Sequence, residues 1–288
     1  MEHQHHTHEH AHHPEHSHEH HSHEHTHHEH AHEHTHKHHH PARKQDEKIL
    51  CIRPQSGLSG DMFLCGLASL LELSQEQINE YLKTLNLPQL ENCLTLQNRF
   101  VNGIRGKNAD VNVAHEHSHR TLLDILDIIN KSSMQDKAKE LACAAFTLLA
   151  EAEGAVHGKE AKDVTFHEVG ALDSILDICL TCAFFVELNP AIFICGPLPL
   201  ADGSIHCAHG IIPSPAPAVL SLLNDVAVCS FSGSGETITP TAIALLKALQ
   251  AKFGKWAAMK VEKNVLVYGS KIFENAPNGS IFALGTAL

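Results

Sequence analysis

The chain has 288 residues, a formal net charge of −12, 29 histidines and nine cysteines. It contains no cluster or stripe of Lys and Arg, which excludes the electrostatic footprint of a nucleic-acid-binding protein. No apolar run is long enough to span a bilayer, and the N-terminus lacks the charged-then-apolar pattern of a secretory signal. Since the cysteines also lack the spacing of a disulfide scaffold, we expect a cytoplasmic protein that engages neither nucleic acid nor membrane.

Residues 1–46 form a leader in which histidine is interleaved with Glu, Thr, Ser and Ala. Imidazole is a common ligand for nickel, zinc and copper ions, and most of these rings are unprotonated at neutral pH. Because the leader has almost no apolar residues to bury, we predict that it is disordered and binds metal through interchangeable ligands. The interleaving favours a native segment over an expression tag. The predicted metal ligands in its densest stretch are His23, His25, His27, His28, His38, His39 and His40.

Residues 47–288 are predicted to form one domain in which helices alternate with strands. This pattern indicates an α/β or mixed α+β fold with a mixed sheet and flanking helices. Strands are predicted at KILCIR, through CLTLQNRFVNGIRGKNADVNV, and at AIFICG, VAVCSF, KNVLVYG and SIFALGTAL. Helices are predicted at DMFLCGLASLLEL, QEQINEYLKTL, HEHSHRTLLDILDIIN, MQDKAKELACAAFTLLAEAEGAVHG, VTFHEVGALDSILDICLTCAFFVEL, from about Ala216, and at TAIALLKALQAKF. Ser74 with Gln77 predicts a capping box, and Asn102-Gly103 predicts a hairpin turn.

The segment SGLSGD, residues 56–61, joins the first predicted strand to the first predicted helix. Its two glycines and the helix N-terminus would let backbone N–H groups face one small anion, such as a phosphate. The alternative is a tight structural turn in which Ser59 caps the helix and Asp61 complements its dipole. The segment lacks the GK[ST] of a Walker sequence, and spacing alone favours the structural turn.

A second segment, FHEVGALDSILD, concentrates ionisable side chains around the start of an apolar helix. They are His167, Glu168, Asp173 and Asp177. Asp173 and Asp177 are one helical turn apart on the same face, so the group suits a divalent ion or an acid/base set. The alternative is a capping box formed by Thr165 and Glu168.

Two further segments carry metal-ligating residue types. IHCAHG places His206, Cys207 and His209 close together, but strand alternation would turn Cys207 away from His206 and makes one shared site doubtful. HEHSH, residues 115–119, is most simply a solvated loop that binds the same ions as the leader. The CxxC pair of Cys179 and Cys182 lies in an apolar helical run, which favours two buried thiols over a redox or zinc pair.

The ordered set of motifs resembles the LarC family, the nickel insertion proteins of nickel-pincer nucleotide biosynthesis. The resemblance runs through SGLSGDM, NGIRGKNADVNV, EAEGAVHG, FHEVGALDSILDI, GPLPLADGSIHCAHGIIPSPAPAVLSLL, TPTAIALLKAL and VYGSKIFENAPNGSIFALG. It implies an enzyme of the lyase class, a nickel chelatase or cyclometallase. Such an enzyme uses CTP and Mg(II) or Mn(II) to insert Ni(II), its substrate, into pyridinium-3,5-bisthiocarboxylic acid mononucleotide. The product has two Ni–S bonds and one Ni–C bond, and its implied client is a nickel-pincer-dependent racemase.

The candidate residues fit the needs of that implied chemistry. The leader would concentrate nickel, and the segment SGLSGD would anchor a nucleotide. The predicted nucleotide-binding residues are Ser59, Gly60, Asp61, Thr239 and Thr241. His167, Glu168 and Asp173 are the predicted catalytic residues, with His167 or Glu168 removing the proton from the ring carbon that becomes a nickel ligand. Asp61, Asp177 and His209 are the predicted metal ligands outside the leader.

The chain departs from the family pattern at three places. Arg53 and Gln55 stand where an acidic and an aromatic residue usually precede SGLSGDM, and Ala242 stands where the pattern continues TPTG. Relatives in this family also carry a second domain beyond the point where this chain ends. A separate chain that supplies this domain is therefore an expected partner, and a degenerate paralogue is the alternative. A non-enzymatic nickel storage or delivery protein, with the leader as its working part, is the rival function. The oligomeric state stays open.

Overall fold

The computed structural model describes residues 47–113, 119–166, 169–207 and 209–288. The chain separates into two units, Met1–Ala42 and Arg43–Leu288, and every described residue belongs to the second. The predicted leader, its disorder and its histidine ligands therefore lie outside the described residues. None of the helices in the described ranges is long and apolar enough to cross a membrane.

The elements of the described ranges alternate along the chain, as the sequence pattern predicts. The strands are β1 (Lys48–Arg53), β2 (Leu94–Val101), β3 (Ile104–Val111), β4 (Arg120–Thr121), β5 (Thr165–Phe166), β6 (Ile192–Cys195), β7 (Leu198–Leu200), β8 (Ser204–Cys207), β9 (Gly210–Pro213), β10 (Val228–Ser230), β11 (Lys252–Phe253), β12 (Met259–Val267) and β13 (Ser280–Ala287). The α-helices are α1 (Gly60–Leu70), α2 (Gln75–Thr84), α3 (Leu122–Lys131), α4 (Asp136–His157), α5 (Leu172–Leu188), α6 (Pro217–Leu222) and α7 (Pro240–Ala248).

Seven of the strands form one mixed sheet in the order β11-β6-β1-β13-β12-β3-β2. β1 is parallel to β6, and β6 is parallel to β11, whereas β1 and β13 are antiparallel. β12 pairs antiparallel with β13 and β2 pairs antiparallel with β3. Three separate two-stranded pairs join β7 with β10, β4 with β5, and β8 with β9. The predicted fold class, a mixed sheet with flanking helices, is confirmed.

Helix α1 is held firmly between the sheet and α5. Nine of its eleven residues are buried. Phe63 packs edge-on against Phe193 and Phe282, with ring centroids 6.2 and 6.0 Å apart. Glycine at position 66 leaves room for the Phe282 ring, because a Cβ there would overlap the ring. Because each large buried apolar side chain stabilises the fold by about 1.5–3 kcal/mol, this packing fixes the position of the N-terminus of α1.

Local signals at helix and hairpin ends are confirmed. Ser74 and Gln77 form the predicted capping box at α2, with the Gln77 backbone N–H 3.3 Å from Ser74 Oγ. Asn102 and Gly103 both have positive φ, 50° and 78°, between β2 and β3. Such φ values are those of a tight hairpin turn. Cys179 and Cys182 are free thiols, 1% and 0% exposed, so the interpretation as buried structural cysteines is confirmed.

Two predicted helices begin later than their sequences suggested. Arg120 pairs with Phe166 in the β4–β5 ladder, so neither residue is helical. Helix α3 begins at Leu122, and α5 begins at Leu172 with Ala171 as its N-cap. The predicted capping box at Thr165 is therefore wrong, because Thr165 lies in a strand well before the helix starts. Burial of Phe166 favours this extended segment over the local helical pattern.

One predicted helix is too long at its end. The segment TAIALLKALQAKF was predicted as helix throughout, but α7 ends at Ala248. Gln250 has a φ of 57°, which turns the chain out of the helix. Lys252 and Phe253 then pair with Ile194 and Cys195 of β6 and extend the main sheet. Backbone pairing at an open sheet edge outweighs helix propensity here.

Candidate functional site

The turn formed by residues 56–61 is packed against the segment that precedes α7. The Leu58 N–H donates to the Thr237 carbonyl at 3.0 Å, and the Thr239 N–H donates to the Leu58 carbonyl at 3.2 Å. Gly57 has a φ of 136°, and a Cβ there would overlap the Thr237 carbonyl oxygen. These contacts place the N-termini of α1 and α7 side by side, which brings together the predicted nucleotide-binding residues of both segments.

Gly60 permits the close approach of α1 to α5. A Cβ at this position would lie 2.6 Å from Asp177 Oδ2 and 3.1 Å from Thr241 Cγ2. The missing side chain therefore lets the Asp177 carboxyl group reach the N-terminus of α1, where the positive end of the helix dipole favours a negative charge. Ser59 is the N-cap residue of α1 as predicted, but its side chain makes no cap hydrogen bond and its hydroxyl donates to Asp61 Oδ1 instead.

Three predicted carboxylates lie in one neighbourhood at this point. Burial is the main cause that raises the pKa of Asp177 well above its ordinary value, and the negative charges of Asp61 and Asp173 raise it further. Asp177 Oδ1 is buried and has no hydrogen-bond partner among the described residues. A buried carboxyl oxygen without a partner is costly, and either a proton or a bound cation relieves that cost.

A cavity of about 400 Å³ opens beside these three aspartates, which are called the carboxylate group below. It lies among the end of α4, the start of α5, the β8–β9 hairpin and the start of α7. Its polar lining comprises Glu153, His157, Ser174, His206, Cys207, His209, Glu236, Thr239 and Thr241. Thr241 lies both at the cavity wall and against Gly60, so the cavity and the carboxylate group adjoin.

Two imidazole rings face each other in this cavity. The centroids of His157 and His209 are 5.1 Å apart, with the rings tilted by 34°. His157 Nε2 lies 3.4 Å from Glu153 Oε2 on the same face of α4. Gly158, with a φ of 64°, ends the helix directly after His157. Imidazole and thiol groups suit a borderline ion such as Ni(II), so this wall of the cavity offers ligands of the appropriate kind.

The predicted catalytic histidine and glutamate, His167 and Glu168, lie outside the described residues. Their described neighbours Phe166 and Val169 both line the cavity. The Arg120 guanidinium donates to the Gly170 carbonyl at 2.7 Å, so the chain is anchored on both sides of this pair. Asp173 is exposed at the first turn of α5, and its Oδ1 accepts from the Ser174 N–H at 2.7 Å.

The hairpin residues His206, Cys207 and His209 line one cavity, which strand alternation alone did not indicate. Within the described residues, however, no group of three or more His, Cys, Asp or Glu side chains is arranged to hold a metal ion. The hypothesis of a metal-binding loop at residues 115–119 is not tested, because most of that segment lies outside the described ranges. In the described part of the chain, the cavity thus presents dispersed candidate ligands and no preformed metal site.

Sequence reasoning missed Glu153, His157 and Glu236. The first two lie four residues apart near the end of an amphipathic helix, a spacing that puts them on one face. That spacing, directly before a helix-ending glycine, was the available signal. Glu236 lies just before α7 and had no signal of its own, since its place in the cavity wall depends on tertiary packing.

Comparison with known proteins identifies the family. Residues 50–284 match the family described as nickel insertion protein. A pyridinium-3,5-bisthiocarboxylic acid mononucleotide nickel insertion protein of Staphylococcus saprophyticus is 34% identical over 76% of this chain. A protein of the same name from Staphylococcus epidermidis is 35% identical over 80% of the chain.

The match covers only part of these relatives. The chain spans 55% of the length of the first protein and 58% of the length of the second. No solved structure matches the chain. The family match nevertheless covers most of the described residues, including the carboxylate group and the histidine-lined cavity. The chain belongs to the nickel insertion protein family.

Proposed function

We propose that this chain inserts Ni(II) into pyridinium-3,5-bisthiocarboxylic acid mononucleotide in a CTP-dependent reaction of the lyase class. The observation that supports this most is the adjacency of two different sites. A cavity lined by imidazole and thiol groups, which suit a soft or borderline metal, adjoins the carboxyl groups of Asp61 and Asp177, which together with phosphate oxygens would bind a hard ion. In the proposed reaction, the first would hold nickel and the second the ion that accompanies the nucleotide.

Nickel is the substrate ion in this proposal. His157 and His209 lie on different elements and would hold nickel loosely, so it can leave for stronger ligands. The two thiocarboxylate sulfurs and one ring carbon of the mononucleotide supply in-plane ligands for square-planar Ni(II). As the Ni–C bond forms, the ring carbon loses its proton, and the protein ligands leave nickel. His167 or Glu168 would accept that proton.

The residues around Asp177 fit a divalent ion that accompanies a nucleotide. Mg(II) in such sites is bound by one or two carboxylates together with phosphate oxygens. Asp177 Oδ1 has no hydrogen-bond partner among the described residues, and the Asp61 carboxylate lies nearby. Bound there, the ion would offset the negative charge of the CTP phosphates. Ser59, Gly60, Thr239 and Thr241, at the paired helix N-termini, would contact the phosphate groups.

The proposal also includes a partner, a separate chain that carries the second domain found in the relatives. The client of the product would be a racemase that uses the nickel-pincer nucleotide. The leader would raise the local nickel concentration but would not take part in bond formation.

The test is a reconstituted reaction. The purified chain is incubated with nickel, CTP, Mg(II) or Mn(II) and the dithiolated mononucleotide, with and without the second chain. Mass spectrometry of the product and activation of an apo racemase are the two readouts. Formation of the nickelated nucleotide only when the chain is present supports the proposal. Nickel binding without product under both conditions would favour the storage or delivery function instead.

A further inference from the structure

A second cavity, of about 520 Å³, shares no lining residue with the histidine-lined cavity. It lies at the carboxyl ends of the parallel strands β1 and β6. Arg53 is the last residue of β1, Gly196 directly follows β6, and both residues line the cavity. Segments from β7 and β10 close its other side. Crevices at the carboxyl ends of parallel strands are frequent ligand sites, and this volume suits a small organic molecule.

Arg53 supplies the one charged side chain of this cavity's lining. Its Nη1 donates to the Gly254 carbonyl at 2.7 Å, and its Cζ lies 5.8 Å from the centroid of the Trp256 ring. Glycine at position 196 leaves room for the Arg53 guanidinium, because a Cβ there would lie 2.8 Å from Arg53 Cζ. The guanidinium group is therefore held in a defined orientation while it is only half buried.

No carboxylate of the described residues forms an ion pair with Arg53. Its guanidinium stays charged at all accessible pH values and has several N–H donors beyond the one that contacts Gly254. The rest of the lining is neutral, with the polar side chains Gln55, Ser230 and Ser232 and the apolar ring of Phe231. A single fixed positive charge, neutral donors and an aromatic wall together suit an oxyanion attached to an apolar body.

We propose that this second cavity binds a small organic molecule that carries a phosphate or a carboxylate group. The Arg53 guanidinium contacts the oxyanion, the hydroxyl groups of Ser230 and Ser232 donate to it, and Phe231 packs against the apolar body. This binding site is separate from nickel insertion in its residues and does not depend on the proposed function.

Trp256 makes the proposal measurable, because it is the single tryptophan of the chain and lies against Arg53. Inorganic phosphate, cytidine monophosphate and pyridine-3,5-dicarboxylate are titrated separately into the full chain, with ionic strength held constant by sodium chloride. Tryptophan fluorescence and calorimetry follow binding. We expect saturable binding of at least one organic probe, tighter than that of inorganic phosphate. The identity of the better probe distinguishes a phosphate from a carboxylate ligand.

The variants decide whether Arg53 is responsible. Arg53→Gln should abolish the calorimetric signal, and Arg53→Lys should weaken binding by about tenfold because lysine lacks the planar fork of donors. Lys255→Gln removes an exposed positive charge beside Trp256 but outside the cavity, and should bind as the parent does. Ser230→Phe, at an exposed position of the cavity lining, should obstruct the cavity with a bulky ring and tests the site independently if Arg53→Gln fails to fold. Absence of binding by all three probes at millimolar concentration, or unchanged binding in folded Arg53→Gln or Ser230→Phe, would overturn the proposal.

Discussion

His157 and His209 face each other across the cavity with ring centroids 5.1 Å apart, although one ends α4 and the other lies between β8 and β9. The pair links the segment EAEGAVHG to the segment IHCAHG, which are separate in the sequence. In the proposed function, nickel held between these two elements would be released by a small movement of either one. This property suits transfer of the ion better than storage.

Removal of one imidazole should weaken nickel handling in the cavity. His157→Ala is expected to raise the nickel concentration that gives half-maximal insertion by about tenfold, because one of two facing ligands is lost. The measurement is the rate of product formation against free nickel. Glu151→Gln, at an exposed position of the same helix that does not line the cavity, is the matched control. An unchanged nickel dependence in His157→Ala would remove this residue from the proposed site.

Asp177 should make stability depend on pH and on divalent ions. Burial raises the pKa of Asp177 in the folded protein, so the folded state binds its proton more tightly than the unfolded state does. The free energy of unfolding should therefore fall as pH rises from the unfolded pKa through the folded pKa, and level off above it. Asp177→Asn should remove this dependence and be more stable than the parent at neutral pH without metal.

Urea unfolding at a series of pH values, with and without Mg(II) or Mn(II), measures both effects. The ion should stabilise the parent at neutral pH but not Asp177→Asn. Asp225→Asn, at an exposed position, serves as control. Equal ion-dependent stabilisation of the parent and of Asp177→Asn would place the ion elsewhere.

Gly60 should be intolerant of a side chain for a packing reason. The Cβ of Gly60→Ala would lie 2.6 Å from Asp177 Oδ2, so the carboxyl group must move. We expect a loss of about 1–3 kcal/mol in the free energy of unfolding, together with loss of the ion-dependent stabilisation. Gly254→Ala is the control, because a Cβ there meets nothing within 4 Å. If Gly60→Ala is as stable as the parent, the packing of α1 against α5 does not require a glycine at this position.

The leader should affect nickel supply and not the chemistry. Deletion of residues 1–40 is expected to lower the number of nickel ions bound per chain and to raise the nickel concentration needed for insertion. The maximal rate at saturating nickel should stay unchanged. Acidification toward about pH 5 should release nickel from the full chain as the imidazoles protonate. Calorimetry on both chains provides the measurement, and full nickel stoichiometry in the shortened chain would refute the assignment.

The parts of the fold that depend on local chemistry could be predicted from the sequence. The capping box of Ser74 and Gln77 and the turn at Asn102-Gly103 depend on neighbouring residues, so their patterns were sufficient. The start of α5 could not be predicted, because Phe166 pairs with Arg120, which is distant in the sequence. The same limit applies to the site. Asp173 and Asp177 were recognisable as neighbours on one helix, whereas the contact of His157 with His209 depends on tertiary packing.

The most direct test of the central claim compares the parent with the double variant His157→Ala/His209→Ala in the reconstituted insertion reaction, with the second chain present. Product formation is followed by mass spectrometry at saturating nickel, and circular dichroism verifies the fold. The cavity account predicts that the double variant still binds the mononucleotide but forms the nickelated product at least about tenfold more slowly than the parent or Glu151→Gln. Product formation at the parental rate by the folded double variant would contradict the account and place nickel insertion outside this cavity.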